Sequence, residues 1–127
     1  MNENLSKLKV NEALKLALET TDINVIIELS KHPNPLVRKK CLVQMCPCRV
    51  KEEIDKFWER IFEMINDPDP NVRGQVLHTL CDGSPKNMEF KVYEALDKFN
   101  RDSDPEIRRK AHKVLSHYNG TGKWNIL

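Results

Sequence analysis

The feature that most constrains this chain is repetition. "NPLVRKKCLVQM" from Asn34, "DPNVRGQVLHTL" from Asp69 and "DPEIRRKAHKVL" from Asp104 align at a constant step of 35 residues. Pro35, Pro70 and Pro105 coincide, then Val37, Val72 and Ile107, then Arg38, Arg73 and Arg108, then Cys41, Val76 and Ala111, then Met45, Leu80 and Leu115. Upstream, Ile23, Trp58 and Tyr93 are in register, as are Ile26, Ile61 and Leu96. Three copies at this period imply a stacked array, in which each unit buries an apolar face against its neighbour.

Each copy reads as two helices. Asn34, Asp69 and Asp104 stand directly before a proline, where an Asx side chain can accept from the first free N–H groups of a helix. Proline at the first helical position loses no hydrogen bond. The earlier Pro33 and Pro68 push the residue before them out of α geometry and end the preceding helix. In the second copy, "KEEIDKFWERIFEMIN" puts Ile54, Phe57, Trp58, Ile61, Phe62 and Ile65 on one helical face. In the third, a Ser84-Pro85 start leads to Phe90, Tyr93, Leu96 and Phe99 on the same kind of face. The first copy predicts a short helix capped by Thr21 or Asp22, preceded by an extra helix from Leu5 to Glu19 that serves as an N-terminal cap. The tail "NGTGKWNIL" is expected to end the last helix, with Trp124, Ile126 and Leu127 folding back over the other end.

The predicted fold is therefore all-α, with three helix pairs over about 22–48, 49–83 and 84–118, a cap over 4–20 and a tail over 119–127. One domain accommodates 127 residues. No stretch reads as a signal peptide or reaches membrane length, so the expected location is the cytoplasm, with no membrane partner and four reduced cysteines.

The run Asp-Pro, Val-Arg, then apolar residues at helical steps resembles HEAT repeats, most of all the short HEAT-like kind of bacterial proteins. The resemblance covers Asp22 to Tyr118. It implies a right-handed α-α superhelix, second helices lining a concave surface, and a role as scaffold or recognition surface. It also implies a ladder of Asp–Arg bonds between adjacent repeats. Its members here are Asp67 and Asp102 with Arg38, Arg73 and Arg108, and His32 stands at the first Asp position. The ladder has a physical rationale too. Arginine in the first turn opposes the helix dipole, and a bidentate carboxylate partner outweighs that cost.

Chemistry-bearing motifs are sparse. Cys46 and Cys48 in "MCPCRV" lack the second spaced pair that a zinc site needs, and Cys41 occupies an apolar column. The chain has no Gly-rich phosphate loop, no His-Glu-x-x-His and no nucleophile elbow. No catalytic residue, metal or cofactor is expected. HEAT-like folds occur in DNA glycosylases for alkylated bases and in bilin lyases, but no motif of either activity is present here.

Charge placement is the remaining signal. The second helices carry net charges of three, one and three, seven in all, which leaves −5 for the rest of a chain of net +2. With the ladder arginines set aside, Lys39, Lys40, Arg109, Lys110 and Lys113 remain, and Gln75 and His78 continue their columns. This is either a solvated face or a recognition surface. The favoured reading is a monomeric, non-catalytic adaptor whose basic concave face meets an acidic protein. The alternatives are phosphate-backbone binding of nucleic acid and a DNA-repair or lyase-type HEAT-like protein. Against nucleic acid, exposed aromatics for base stacking are not expected beside the basic residues.

Overall fold

A computed structural model describes residues 5–44, 55–84, 86–124 and 126. Among these residues the chain is all-helical, without a strand. It divides into two compact units, residues 1–63 and 64–127. The first holds α1 (Val10–Glu19), α2 (Ile23–Leu29), α3 (Pro35–Gln44) and α4 (Asp55–Glu63). The second holds α5 (Pro70–Gly83), α6 (Glu89–Phe99) and α7 (Pro105–Thr121).

The helix starts follow the Asx-Pro logic. Asn34 Oδ1 accepts from the Leu36 N–H at 2.8 Å. Asp69 Oδ1 accepts from Asn71 at 2.8 Å and from Val72 at 3.2 Å. Asp104 Oδ2 accepts from Ile107 at 3.0 Å. Proline is the first residue of α3, α5 and α7. At α2 the cap is Asp22, which accepts from Asn24, while Thr20 Oγ1 holds the Asp22 N–H.

In the first unit α1 packs on α2 and α3, and α2 packs on α3 and α4. Ala13 and Ala17 are fully buried, and their small side chains let α1 lie close to α3. Phe57 and Trp58 are buried edge to face, with ring centroids 4.7 Å apart. In the second unit α5, α6 and α7 pack against one another. The repeat columns form the cores. Val37, Val72 and Ile107 are buried, as are Cys41, Val76 and Ala111, then Ile26, Ile61 and Leu96, then Leu80 and Leu115. Each fully buried aliphatic side chain contributes about 2 kcal/mol.

Five local expectations are corrected. The expected helix from Leu5 to Glu19 is broken: a 3-10 turn spans Leu5–Lys7, Lys9 is extended, and α1 starts at Val10. The break frees the Leu8 carbonyl, which His32 Nε2 meets at 2.7 Å. The helix expected to run from Lys51 to Asn66 has its described α part over Asp55–Glu63 and tightens to a 3-10 turn at Met64–Asn66; Ile54 lies outside the described residues. Ser84 does not start α6. It ends α5, and α6 follows a 3-10 turn at Lys86–Met88. The buried face of α6 is Val92, Ala95, Leu96 and Phe99, which leaves Phe90 74% and Tyr93 38% exposed. Finally, α7 continues through Gly120 to Thr121 and stops at Gly122, whose φ of +76° favours a residue without Cβ.

Candidate functional site

Three loops precede α3, α5 and α7, and the same two bonds recur in each. The side chain at the first position accepts the N–H two residues on: His32 Nδ1 from Asn34 at 3.0 Å, Asp67 Oδ1 from Asp69 at 2.9 Å, and Asp102 Oδ1 from Asp104 at 2.9 Å. The arginine six residues later then donates Nη1 to the backbone carbonyl of that first residue. Arg38 reaches His32 O at 3.0 Å, Arg73 reaches Asp67 O at 2.8 Å, and Arg108 reaches Asp102 O at 2.7 Å. Arg38 also donates to Pro33 O at 2.8 Å. Each arginine thus braces its own loop. The alignment placed these arginines in one column but could not disclose this role, because the acceptor is a main-chain oxygen common to every residue type.

Arg73 also makes a forked bond. Its Nε and Nη2 meet Asp102 Oδ2 and Oδ1, both at 2.9 Å. This fork joins the start of α5 to the turn before α7, and both side chains are largely buried. The bond to Asp102 raises the pKa of the Arg73 guanidinium above its ordinary value, against the opposing effect of burial. Burial alone would raise the pKa of the Asp102 carboxyl. The Arg73 fork, the Asp104 N–H and the charges of Arg73 and Arg108 outweigh it, and the carboxyl sits below its ordinary value.

His32 is buried and does related work with different chemistry. Because Nδ1 accepts from Asn34, the ring proton is on Nε2, which donates to Leu8 O. Arg60 was not singled out from sequence. Its Nε donates to Ser30 Oγ at 2.7 Å and its Nη2 to Ser30 O at 2.9 Å, fastening α4 to the end of α2.

The residues expected to bind a partner are distributed over both units. Lys39 is exposed and Lys40 half-buried on α3; His78 is exposed and Gln75 half-buried on α5; Arg109, Lys110 and Lys113 are exposed on α7. Arg109 pairs with Glu106 one turn earlier, at the exposed start of α7. Lys39 and Lys40 flank a groove between α1 and α3 of about 530 Å³. Its floor is Leu14, Leu18, Leu36 and Val43, and Lys15 joins the two lysines on its rim.

Trp124, expected to fold back from the tail, belongs to an aromatic ledge on the second unit. Trp124 stacks on Tyr118 at 4.4 Å, Tyr118 lies 5.8 Å from Tyr93, and the Tyr118 hydroxyl bonds to Glu89. Phe90 stands exposed one turn before Tyr93 on α6. The 35-residue register gave no signal of this, because it pairs Tyr93 with Trp58, which is buried.

The Cys41 and Cys81 thiols are buried, and desolvation pushes both up to about 12, which leaves them protonated and poorly nucleophilic. Cys46 and Cys48 lie outside the described residues. Among the described residues no group of three His, Cys, Asp or Glu side chains is placed to hold a metal ion, and no helix is long and apolar enough to cross a membrane. No family model, curated protein or solved structure matches the chain.

Proposed function

We propose that this chain is a non-catalytic binding scaffold of the HEAT-like kind, with three helix pairs and an N-terminal cap in a right-handed solenoid. Its second helices present basic residues to an acidic protein partner in the cytoplasm. One observation carries this reading. Arg38, Arg73 and Arg108 are engaged by loop carbonyls, and Arg73 by Asp102 as well, whereas Lys39, Lys110 and Lys113 stand exposed on α3 and α7. The cationic side chains therefore divide into a bracing set and a solvent-facing set, and the second is available for long-range attraction of an acidic surface.

The aromatic ledge favours nucleic acid, since bases stack on exposed rings. The Glu89 carboxylate on the Tyr118 hydroxyl repels a phosphate backbone and an acidic protein alike, so it does not choose between them. The two are separated by fluorescence anisotropy with a labelled glutamate-rich peptide and a labelled single-stranded oligonucleotide. The proposal expects peptide binding that weakens with salt and drops in the Lys110→Glu/Lys113→Glu variant, with its melting temperature unchanged. Tighter binding of the oligonucleotide, with a steeper salt slope, would replace this reading by the nucleic-acid one.

A further inference from the structure

The outer face of α3, beside α1, differs in sequence from the corresponding faces of α5 and α7. Leu36 is 64% and Val43 44% exposed, and Leu18 across the groove on α1 is 54% exposed. The 35-residue register places Asn71 and Glu106 at the position of Leu36, and His78 and Lys113 at the position of Val43. Two solvent-facing positions that are polar in the second and third copies are thus apolar in the first. The core of α3 does not require them, because Val37, Cys41 and Leu42 already fill its inward face. Burial in the fold accounts for α3's inner stripe and leaves its outer stripe unexplained. Exposed apolar side chains gathered in one groove mark an interaction site.

The chemistry of the rim selects the occupant. Lys15, Lys39 and Lys40 border the apolar floor, and among the described residues no carboxylate lines it. Lysine stems lie along apolar surface while their ammonium groups reach into water, so the groove offers an apolar strip edged by positive charge. From Leu36 to Val43 the floor runs seven residues along α3, about 10 Å. That is two turns of helix, the spacing of apolar side chains at i, i+3 or i+4, and i+7.

We propose that this groove docks an amphipathic helix of a partner protein, with its apolar stripe on Leu14, Leu18, Leu36 and Val43 and its flanking Asp and Glu side chains against Lys15, Lys39 and Lys40. The inference rests on the acidic-partner reading and assigns it to the first repeat. It moves the source of affinity from charge alone to buried apolar area, with charge setting orientation and specificity.

The probe is a labelled helical peptide of about twelve residues, with leucines at i, i+4 and i+7 and glutamates beside them. A scrambled peptide of the same composition has equal charge and no stripe. The decisive variant, Leu36→Asn/Val43→His, installs the residues of the second copy at two exposed positions, and an unchanged melting temperature checks its fold. The patterned peptide should bind at least about tenfold tighter than the scrambled one, and the double variant should erase that difference. Lys110→Glu/Lys113→Glu should leave the preference for the pattern intact. Equal binding of the two peptides, or no effect of the double variant, would overturn the groove while leaving a charge-only acidic partner standing if the Lys110/Lys113 variant alone reduces binding. Loss of patterned binding in neither variant would overturn both. Sedimentation of the free protein covers the remaining occupant: self-association abolished by Leu36→Asn/Val43→His would give the groove to a second copy of this chain and overturn the docked partner helix.

Discussion

His32 and Asp102 occupy the same place in the repeat, two residues before the cap of a second helix, and each accepts that residue's N–H. Their outward bonds have opposite polarity. Asp102 receives the Arg73 guanidinium from the start of α5, whereas His32 donates to the Leu8 carbonyl, where the N-terminal segment breaks before α1. The local requirement, an acceptor for one N–H, is common to both. The distant requirement depends on the group that each side chain faces. A position facing an arginine calls for a carboxylate. A position facing an open backbone carbonyl calls for a side chain that accepts at one end and donates at the other, and neutral imidazole does both.

The largest test of this comparison is Arg73→Ala. It leaves the Asp102 carboxylate largely buried without its fork and should destabilise the protein by about 3 kcal/mol in urea unfolding. His32→Asp imposes the later copies' residue on the first loop. It retains the Asn34 acceptor but sets a carboxylate against the Leu8 carbonyl, at a cost of about 2 kcal/mol; stability equal to the parent would break the comparison. Asp102→Asn should cost about 1.5 kcal/mol at neutral pH and also change the acid limb. The Asp102 carboxyl sits below its ordinary value, so its contribution is complete above about pH 4 and disappears as pH falls through the folded value. The variant's stability should therefore fall less steeply with acidification in that window. Arg108→Ala removes one bond from an exposed side chain to the Asp102 carbonyl and should cost only about 0.5 kcal/mol. A loss as large as that for Arg73 would show that bracing the loop, rather than the fork, dominates.

The second helices were legible in detail because their signals are local. A capping side chain, a fixed proline φ and a column of small apolar residues act within one turn, and Val37, Val72 and Ile107 are buried as their alignment requires. The faces of the first helices were less legible. Phe90 and Tyr93 look like core residues by size, but α6 turns Val92 and Ala95 inward. Two neighbouring apolar stripes on one helix cannot be ranked without knowing what they pack against. The end of α7 was placed too early for a related reason: one mid-helix glycine costs only about 1 kcal/mol, and the left-handed stop falls at Gly122. The candidate site was legible as a set of basic columns. Its groove was not, since that needs Leu14 and Leu18 of α1 brought beside Leu36 and Val43 of α3.

The sequence by itself determined the all-helical character, the starts of α3, α5 and α7, and the residues that fill the inner columns, because hydrogen bonds and apolar spacing within one or two turns decide them. Only the tertiary structure decided that the recurrent arginines brace their own loops, that His32 meets the Leu8 carbonyl, and that α3 keeps an outer apolar stripe beside α1. The first two outcomes depend on main-chain oxygens, one of them 24 residues away, and neither distance in space nor the direction of a carbonyl is encoded in the type of any single residue.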